Sequence, residues 1–220
     1  MAMVDFLSPL HRATRRDYLG RVNEFPKAEA ASVARRFGPE YWDGDRRYGY
    51  GGYVYDGRWL PVAEKMARHY DLRPGQRVLD VGCGKAFLLY ELTRVVPGLQ
   101  VAGLDISEYA LTTAPEPVRP FLTLGTATEL PYGDQEFDLV LSINVVHNLY
   151  VYDAKKALEE IMRVGRRHRY VVVESYRTEE EKANLLYWQL TCECFFTPQE
   201  WQWLFDLAGY QGDHSFIFFE

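Results

Sequence analysis

The residues best equipped for chemistry follow a short aliphatic run, in the stretch Val78-Leu79-Asp80-Val81-Gly82-Cys83-Gly84-Lys85-Ala86-Phe87. Glycines in such a turn let the backbone approach a ligand closely and lead into a helix N-terminus. Asp105 ends a second aliphatic run some twenty residues later, where a carboxylate can accept ribose hydroxyls. Alone, the turn is equally a tight strand–helix connection without a ligand, and the pair would also suit NAD. Asp80 narrows the choice. Two residues before the first glycine, its carboxylate repels a pyrophosphate and attracts an ammonium, directly or through water. S-adenosylmethionine, with an ammonium, a sulfonium and a ribose but no phosphate, fits that arrangement better than NAD.

Methyl transfer from such a donor is an in-line displacement that needs alignment more than acid–base machinery. A base helps where the acceptor is a hydroxyl or an ammonium. Two candidates follow later strands, His147 and Glu174. His147 is read as a base or acceptor-orienting group, with a histidine bonded within its own loop as the alternative. Glu174 is read as a base or as the partner of a cationic acceptor, or else as a surface charge. Asn148, Tyr176 and Arg177 share those loops and could shape the acceptor pocket. The segment Tyr41–Trp59 crowds Trp42, Tyr48, Tyr50 and Tyr53 among glycines, together with Arg46, Arg47 and Arg58. It is read as a lid whose rings exclude water and face the sulfonium, and whose arginines could clamp a carboxylate or phosphate. The other possibility is a satellite core with solvated arginines. Cys192 and Cys194 form a pair with no further ligands for zinc, and Asp134, Asp138 and Asp153 make no recognisable metal cluster. No metal site is expected.

The elements that must position these residues alternate. Strands are expected at Arg77–Val81, Gln100–Asp105, Phe121–Leu124, Phe137–Ile143, Tyr170–Glu174 and Phe216–Phe219. Helices are expected over Lys85–Val95, Ser107–Thr113, Asp153–Val164 and Glu179–Leu190, with another through Trp201–Ala208 opened by the capping box Thr197-Pro198-Gln199-Glu200. Continuous Val/Leu/Ile strands alternating with helices specify a parallel sheet covered on both faces. Upstream, helices are expected over Thr14–Val22, Lys27–Phe37 and Pro61–Tyr70. Residues 1–60 hold too few periodic apolar residues for a core of their own, so they form an N-terminal lid on a domain spanning 61–220.

VLDVGCGKAF, then GLDIS, then GTATELPYGDQEFDLVLSINVVHNL, in that order and spacing, resemble the successive motifs of class I (Rossmann-like) S-adenosylmethionine-dependent methyltransferases. The resemblance covers roughly residues 61–220. It implies a seven-stranded, mostly parallel sheet with helices on both faces and an antiparallel last strand. It also implies roles: the Gly82-Cys83-Gly84 turn at the methionine moiety with Asp80 near its ammonium, and Asp105 on the ribose. Ile106 would pack on adenine, Thr126 and Ala127 would lie at the adenine edge, and Asn144 would lie near the methionine end. Two positions depart from the pattern. Ala86 replaces a third glycine, tolerable if its φ is negative, and Thr126 stands where the family often has Asp.

Bulk properties bound the function. The 220 residues carry a net charge of −6, with nine Lys/Arg against seven Asp/Glu in the first fifty. That excess is too small for a nucleic-acid partner and would suit an anionic small acceptor near the N-terminal segment. Three cysteines make no disulfide framework, and no apolar run approaches a membrane span, so a cytoplasmic monomer or homodimer is expected. The reading is an S-adenosylmethionine-dependent methyltransferase acting on a small-molecule hydroxyl or amine. A protein side chain or RNA as acceptor, and a non-catalytic donor-binding module, are the alternatives. The Asn-Pro-Pro-Tyr type of signature found in many adenine and glutamine methylases is absent at Asn144-Val145-Val146-His147.

Overall fold

A computed structural model describes residues 2–12 and 16–220. Six strands form one sheet: β1 (Arg77–Val81), β2 (Gln100–Asp105), β3 (Leu122–Leu124), β4 (Phe137–Ile143), β5 (Gly165–Glu174) and β6 (Asp213–Ile217). Their order is β3-β2-β1-β4-β5-β6, and every pairing is parallel. The switch in strand order falls between β1 and β4, where parallel α/β sheets bind ligands at the strands' carboxyl ends.

The expected seventh, antiparallel strand is therefore corrected to a six-stranded sheet whose last strand is parallel. Helix α10 (Pro198–Leu207), opened by the capping box, crosses over the sheet and returns the chain in the direction of β5. The strand also begins earlier than Phe216, because Asp213 and His214 already pair with Tyr170 and Val171. Residues 2–4 cover its free edge through bonds from Val4 N to His214 O (2.9 Å) and from His214 N to Ala2 O (3.0 Å).

Side-chain alternation divides the core between the two faces. On one face, Val78, Leu139, Tyr170 and Val172 pack with α5 (Leu60–His69) and α6 (Phe87–Val95). On the other, Leu79, Val81, Val140 and Val171 pack with α8 (Val151–Val164) and α10. Helix α8 buries Ala154, Ala157, Leu158, Ile161 and Val164, one stripe at helical spacing. No helix among the described residues is long and apolar enough to cross a membrane.

The N-terminal sixty residues hold short helices at Ser8–Arg12 (α1), Tyr18–Asn23 (α2), Lys27–Ala34 (α3) and Pro39–Trp42 (α4), and a 3-10 turn at Arg46–Tyr48. The helix expected from Thr14 starts outside the described residues and is seen only from Tyr18. Helix α3 stops three residues short of Phe37, whose φ of 49° is left-handed. The segment read as a lid thus begins in the last turn of α4 and contains a 3-10 turn. Phe6 and Leu7 are buried in the first core cluster, with Phe6 edge-on to Tyr170 at 5.0 Å. Phe6→Ala is expected to cost about 3 kcal/mol or more in urea unfolding, as large-to-small core substitutions do, while exposed Met3→Ala stays within about 0.5 kcal/mol. Equal effects would detach this segment from the core.

Candidate active site

The carboxyl ends of β1 and β2 are held together by their own turns. Gly82 donates its N–H to Leu104 O (2.6 Å), Gly84 N–H goes to Asp105 Oδ2 (2.7 Å), and Ser107 N–H goes to Asp105 Oδ1 (2.8 Å). Gly82 and Gly84 both have positive φ (79° and 54°). A Cβ at Gly82 would fall 2.1 Å from Val145, and one at Gly84 2.7 Å from Trp42, so neither admits a side chain. Ala86, which a negative φ would have made an easy replacement, has φ 53°. The turn needs a left-handed residue there, and the buried methyl offsets part of the strain by packing in the core.

One cavity lies beside this turn. Asp80, Gly82, Cys83, Gly84, Asp105, Ile106, Thr126, Ala127 and Asn144, all the residues expected at the donor, line it. Asp80 is buried and its Oδ1 has no hydrogen-bond partner among the described residues. Burial, then the neighbouring Asp105 charge, pushes its carboxyl up to about 7. Burial also raises Asp105, against the pull of its N–H donors. Ile106 is 64% exposed, an apolar side chain facing open space. Thr126 Oγ1 lies 3.0 Å from Thr128 Oγ1. Burial raises the Cys83 thiol, which stays protonated.

The aromatic segment forms the opposite wall. Trp42 Nε1 donates to Ser107 Oγ (2.9 Å) and Phe37 O (3.1 Å), and its ring stacks on Tyr50 at 5.3 Å and 7°. Tyr50 meets Tyr53 at 4.5 Å, and Tyr53 stacks on Phe87 at 5.0 Å. A buried cation pins this wall to the glycine turn. Lys85 Nζ bonds both Asp43 carboxylate oxygens (2.6 and 2.8 Å), and Tyr109 OH bonds Oδ2 (2.7 Å). Sequence reasoning missed Lys85 and Asp43, whose pairing spans forty-two residues, and also missed Phe37, Tyr41 and Phe87. The glycine turn itself was the signal for Lys85, since a lysine beside a ligand turn must find an anion or solvent.

A second cavity adjoins the first, and Tyr41, Tyr50, Tyr53 and Asn144 line both. Asn144 adopts the left-handed region (φ 60°), and its buried Oδ1 has no hydrogen-bond partner among the described residues. Asn148, on the first cavity, donates Nδ2 to Asn144 O (2.9 Å) and accepts from Thr191 Oγ1 (2.8 Å). Glu174 lies in the second cavity, buried, with Gln189 Nε2 donating to Oε1 and Oε2 lacking a hydrogen bond among the described residues. Burial pushes its carboxyl up to about 8, against the Gln189 bond and Arg16. Arg46 and Arg58 line this cavity, joined by Arg16, Arg21 and Trp188, which sequence reasoning did not single out.

Other expected site residues lie elsewhere. His147 lines neither cavity; it is buried, and burial lowers its pKa to about 3. Its Nδ1 accepts the Glu174 backbone N–H (3.1 Å), which assigns the hydrogen to Nε2, 3.4 Å from Glu174 Oε2. That bond engages the ring's lone pair, and the Glu193 and Cys194 N–H groups bond the His147 backbone carbonyl. Arg47 pairs with Asp45 and Tyr48 packs on Phe25. Tyr176 is buried in the core, and Arg177 bonds Glu181 and Glu220 over the Phe218 ring. Their loops end at the same rim, but these side chains turn to local partners. No group of three or more His, Cys, Asp or Glu suited to a metal occurs among the described residues.

A family model described as a methyltransferase domain matches residues 72–209. The chain belongs to the class I S-adenosylmethionine-dependent methyltransferases. It is 34% identical over 116 residues to a demethylmenaquinone methyltransferase of Symbiobacterium thermophilum, covering 49% of this chain and 45% of that protein. It is 31% identical over 130 residues to a tRNA (carboxymethyluridine(34)-5-O)-methyltransferase of Arabidopsis thaliana, covering 59% of this chain and 30% of that one. The matches therefore span less than half of either relative. In fold it resembles the YcgJ protein of Bacillus subtilis, with a TM-score of 0.54, 22% identity, and 70% and 68% of the two chains covered.

S-adenosylmethionine is the methyl donor of this family, and the first cavity fits it. An orphaned buried carboxylate, a second carboxylate backed by N–H groups, and an exposed isoleucine suit an ammonium, a ribose and a flat base. Asp80 also makes a pH prediction. In the folded chain it keeps its proton to about pH 7, whereas unfolded Asp releases it near its ordinary value of about 4. Folding thus binds a proton across that interval, and this group lowers stability as pH rises from about 4 to about 7. Asp80→Asn should therefore stabilise the ligand-free chain at pH 8 relative to pH 5, by of the order of 1–3 kcal/mol, while weakening donor binding. Urea unfolding at both pH values decides, and the same offset at each would contradict it.

Proposed function

We propose that this methyltransferase transfers the methyl group to a hydroxyl or amine of a small molecule, with the donor in the first cavity and the acceptor in the second. The observation that carries the reading is the junction. The two cavities share Tyr41, Tyr50, Tyr53 and Asn144, with buried Asp80 on one side and Glu174 on the other. When bound, the donor supplies an electrophilic methyl on a sulfonium.

In this reading Asp80 holds the donor's ammonium and Asp105 its ribose, while Ile106, Thr126 and Ala127 bed the adenine. Gly82, Cys83 and Gly84 keep the backbone close to the methionine end. Tyr50 and Tyr53 narrow the junction and present ring faces to positive charge. Asn144, with its unpartnered Oδ1, orients the groups that meet there. Glu174 accepts the proton released by the acceptor. His147 positions Glu174, because its Nδ1 is tied to the Glu174 backbone and its Nε2–H faces the carboxylate. The N-terminal sixty residues act as the enclosing wall of both cavities.

Calorimetry should show S-adenosylmethionine or S-adenosylhomocysteine binding and no NAD binding, with Asp105→Ala weakening the donor by about 1.5–3 kcal/mol, the range for charged hydrogen bonds. Methyl-labelled donor incubated with fractionated metabolites should label a small product. Label in RNA or protein alone would move the acceptor to those classes.

The base makes a separate prediction. Only deprotonated Glu174 can accept a proton, and burial holds its pKa at about 8, so kcat/KM for the acceptor should rise with pH and level off above about 8. Glu174→Gln should lower the rate by about 10²–10⁴-fold and remove that limb, with donor affinity little changed. A variant that keeps the pH profile would take the proton elsewhere.

A further inference from the structure

The second cavity concentrates positive charge in a chain whose net charge is −6. The guanidinium groups of Arg16, Arg21 and Arg46 all lie against one ring, that of Trp188, at 5.6, 4.6 and 5.3 Å from its centroid. They come from before α2, from within it, and from the 3-10 turn, so three separate backbone segments converge on one indole. Arg21 and Arg46 form no ion pair with a carboxylate among the described residues. Their hydrogen bonds go to backbone carbonyls, Arg21 to Arg46 O (3.1 Å) and Arg46 to Tyr50 O (2.6 Å), and Arg21 Nε is buried without a partner among the described residues.

Like charges this close repel, and burial makes the repulsion harder to screen. Arg21 is lowered to about 10, first by burial and then by Arg46, and Arg46 and Arg16 are lowered chiefly by burial. His11, in the same cavity, is driven neutral by burial and by Arg16, with a pKa of about 4. One indole face stabilises one cation by cation–π attraction but does not balance both Arg21 and Arg46. A bound anion would, and planar guanidinium groups recognise oxyanions through paired N–H donors.

We propose that Arg16, Arg21 and Arg46 form an oxyanion subsite that binds a carboxylate or phosphate group of the methyl acceptor. The subsite rests on the reading of the second cavity as the acceptor's. It commits the acceptor to a small organic anion with a separate hydroxyl or amine, its anionic end at the arginines and its nucleophile toward Glu174 and the junction. The arginines converge inside a pocket instead of forming a surface stripe, which disfavours a polyanion such as RNA.

The test titrates the full chain, with and without saturating S-adenosylhomocysteine, using inorganic phosphate, benzoate and the neutral control benzamide, followed by calorimetry or NMR at low ionic strength. One or both anions should bind saturably and benzamide should not. Phosphate alone would specify a phosphate group and benzoate alone a carboxylate. Arg21→Gln and Arg46→Gln should each weaken that binding at least ~10-fold, the size of one charged hydrogen bond. Affinity for S-adenosylhomocysteine should change less than about two-fold, which reports that the fold is intact. Arg46→Lys, which keeps the charge, guards against displacement of the Tyr50 loop and should lose less than Arg46→Gln. Absence of saturable anion binding, equal binding of benzamide, or anion binding indifferent to both glutamine variants would each overturn the subsite. So would tight binding of a short RNA that the same variants abolish while neither small anion binds. Failure of S-adenosylhomocysteine to bind would instead strike the methyl-transfer reading, and the titration without it would still decide the subsite.

Discussion

Carboxylates are costly to bury, and three of them surround this site. Asp80, Asp105 and Glu174 are each nearly inaccessible, and burial is the first cause of the raised pKa in all three. Only Asp105 is well compensated, by two backbone N–H groups. Among the described residues, Asp80 keeps an oxygen without a hydrogen-bond partner and Glu174 another. A fold selected for stability alone would not leave such groups in its interior, where each lowers stability once ionised. Their placement makes sense if charge enters or leaves at these positions during the reaction: a cation beside Asp80 and a proton at Glu174.

The rest of the architecture can be read as what makes that burial possible. Parallel strands bring the loops after β1, β2, β4 and β5 to one edge, but an edge alone would leave the carboxylates in water. The aromatic segment removes the water, and its position depends on two polar attachments that reach across the fold, Trp42 to Ser107 and Asp43 to Lys85. The second places a buried ammonium directly after the glycine turn. Its partner carboxylate is held low by Lys85 and Tyr109 despite burial, so the charge pair is local and leaves Asp80 unneutralised.

What the sequence makes legible here is what depends on neighbours in the chain. The glycine turn, Asp105 and the alternation of strands and helices all follow from local spacing, and each donor residue expected from it lines one cavity. What fails depends on distant partners. The direction of β6 is set by the α10 crossover and by the strand beside it, not by its own residues. The inward turn of His147 follows from the backbone N–H of Glu174, twenty-seven residues away. Arg47, Tyr48, Tyr176 and Arg177 have the right composition at the right rim, yet each finds a nearer partner. Ala86 leaves its condition open in sequence for a subtler reason: its left-handed φ belongs to the turn's geometry, and an alanine gives no sign of it.

The arginines of the second cavity lie between these cases. Arg16 and Arg21 carry no motif, and nothing in their neighbourhood points to Trp188. Their charge is nevertheless visible in bulk, since the first fifty residues are basic while the remainder of the chain is acidic. That asymmetry is too weak to imply a nucleic acid, and a linear count cannot distinguish a diffuse surface from a focus. Folding supplies the difference. Helix α2, the segment before it and the 3-10 turn bring three of those charges onto one indole, with Glu174 in the same cavity. A modest surplus spread over fifty residues thereby becomes a local positive field in one cavity, which Glu174 also lines. A small molecule bearing an anion and a nucleophile at opposite ends would be oriented by that field before any contact specific to its identity is made.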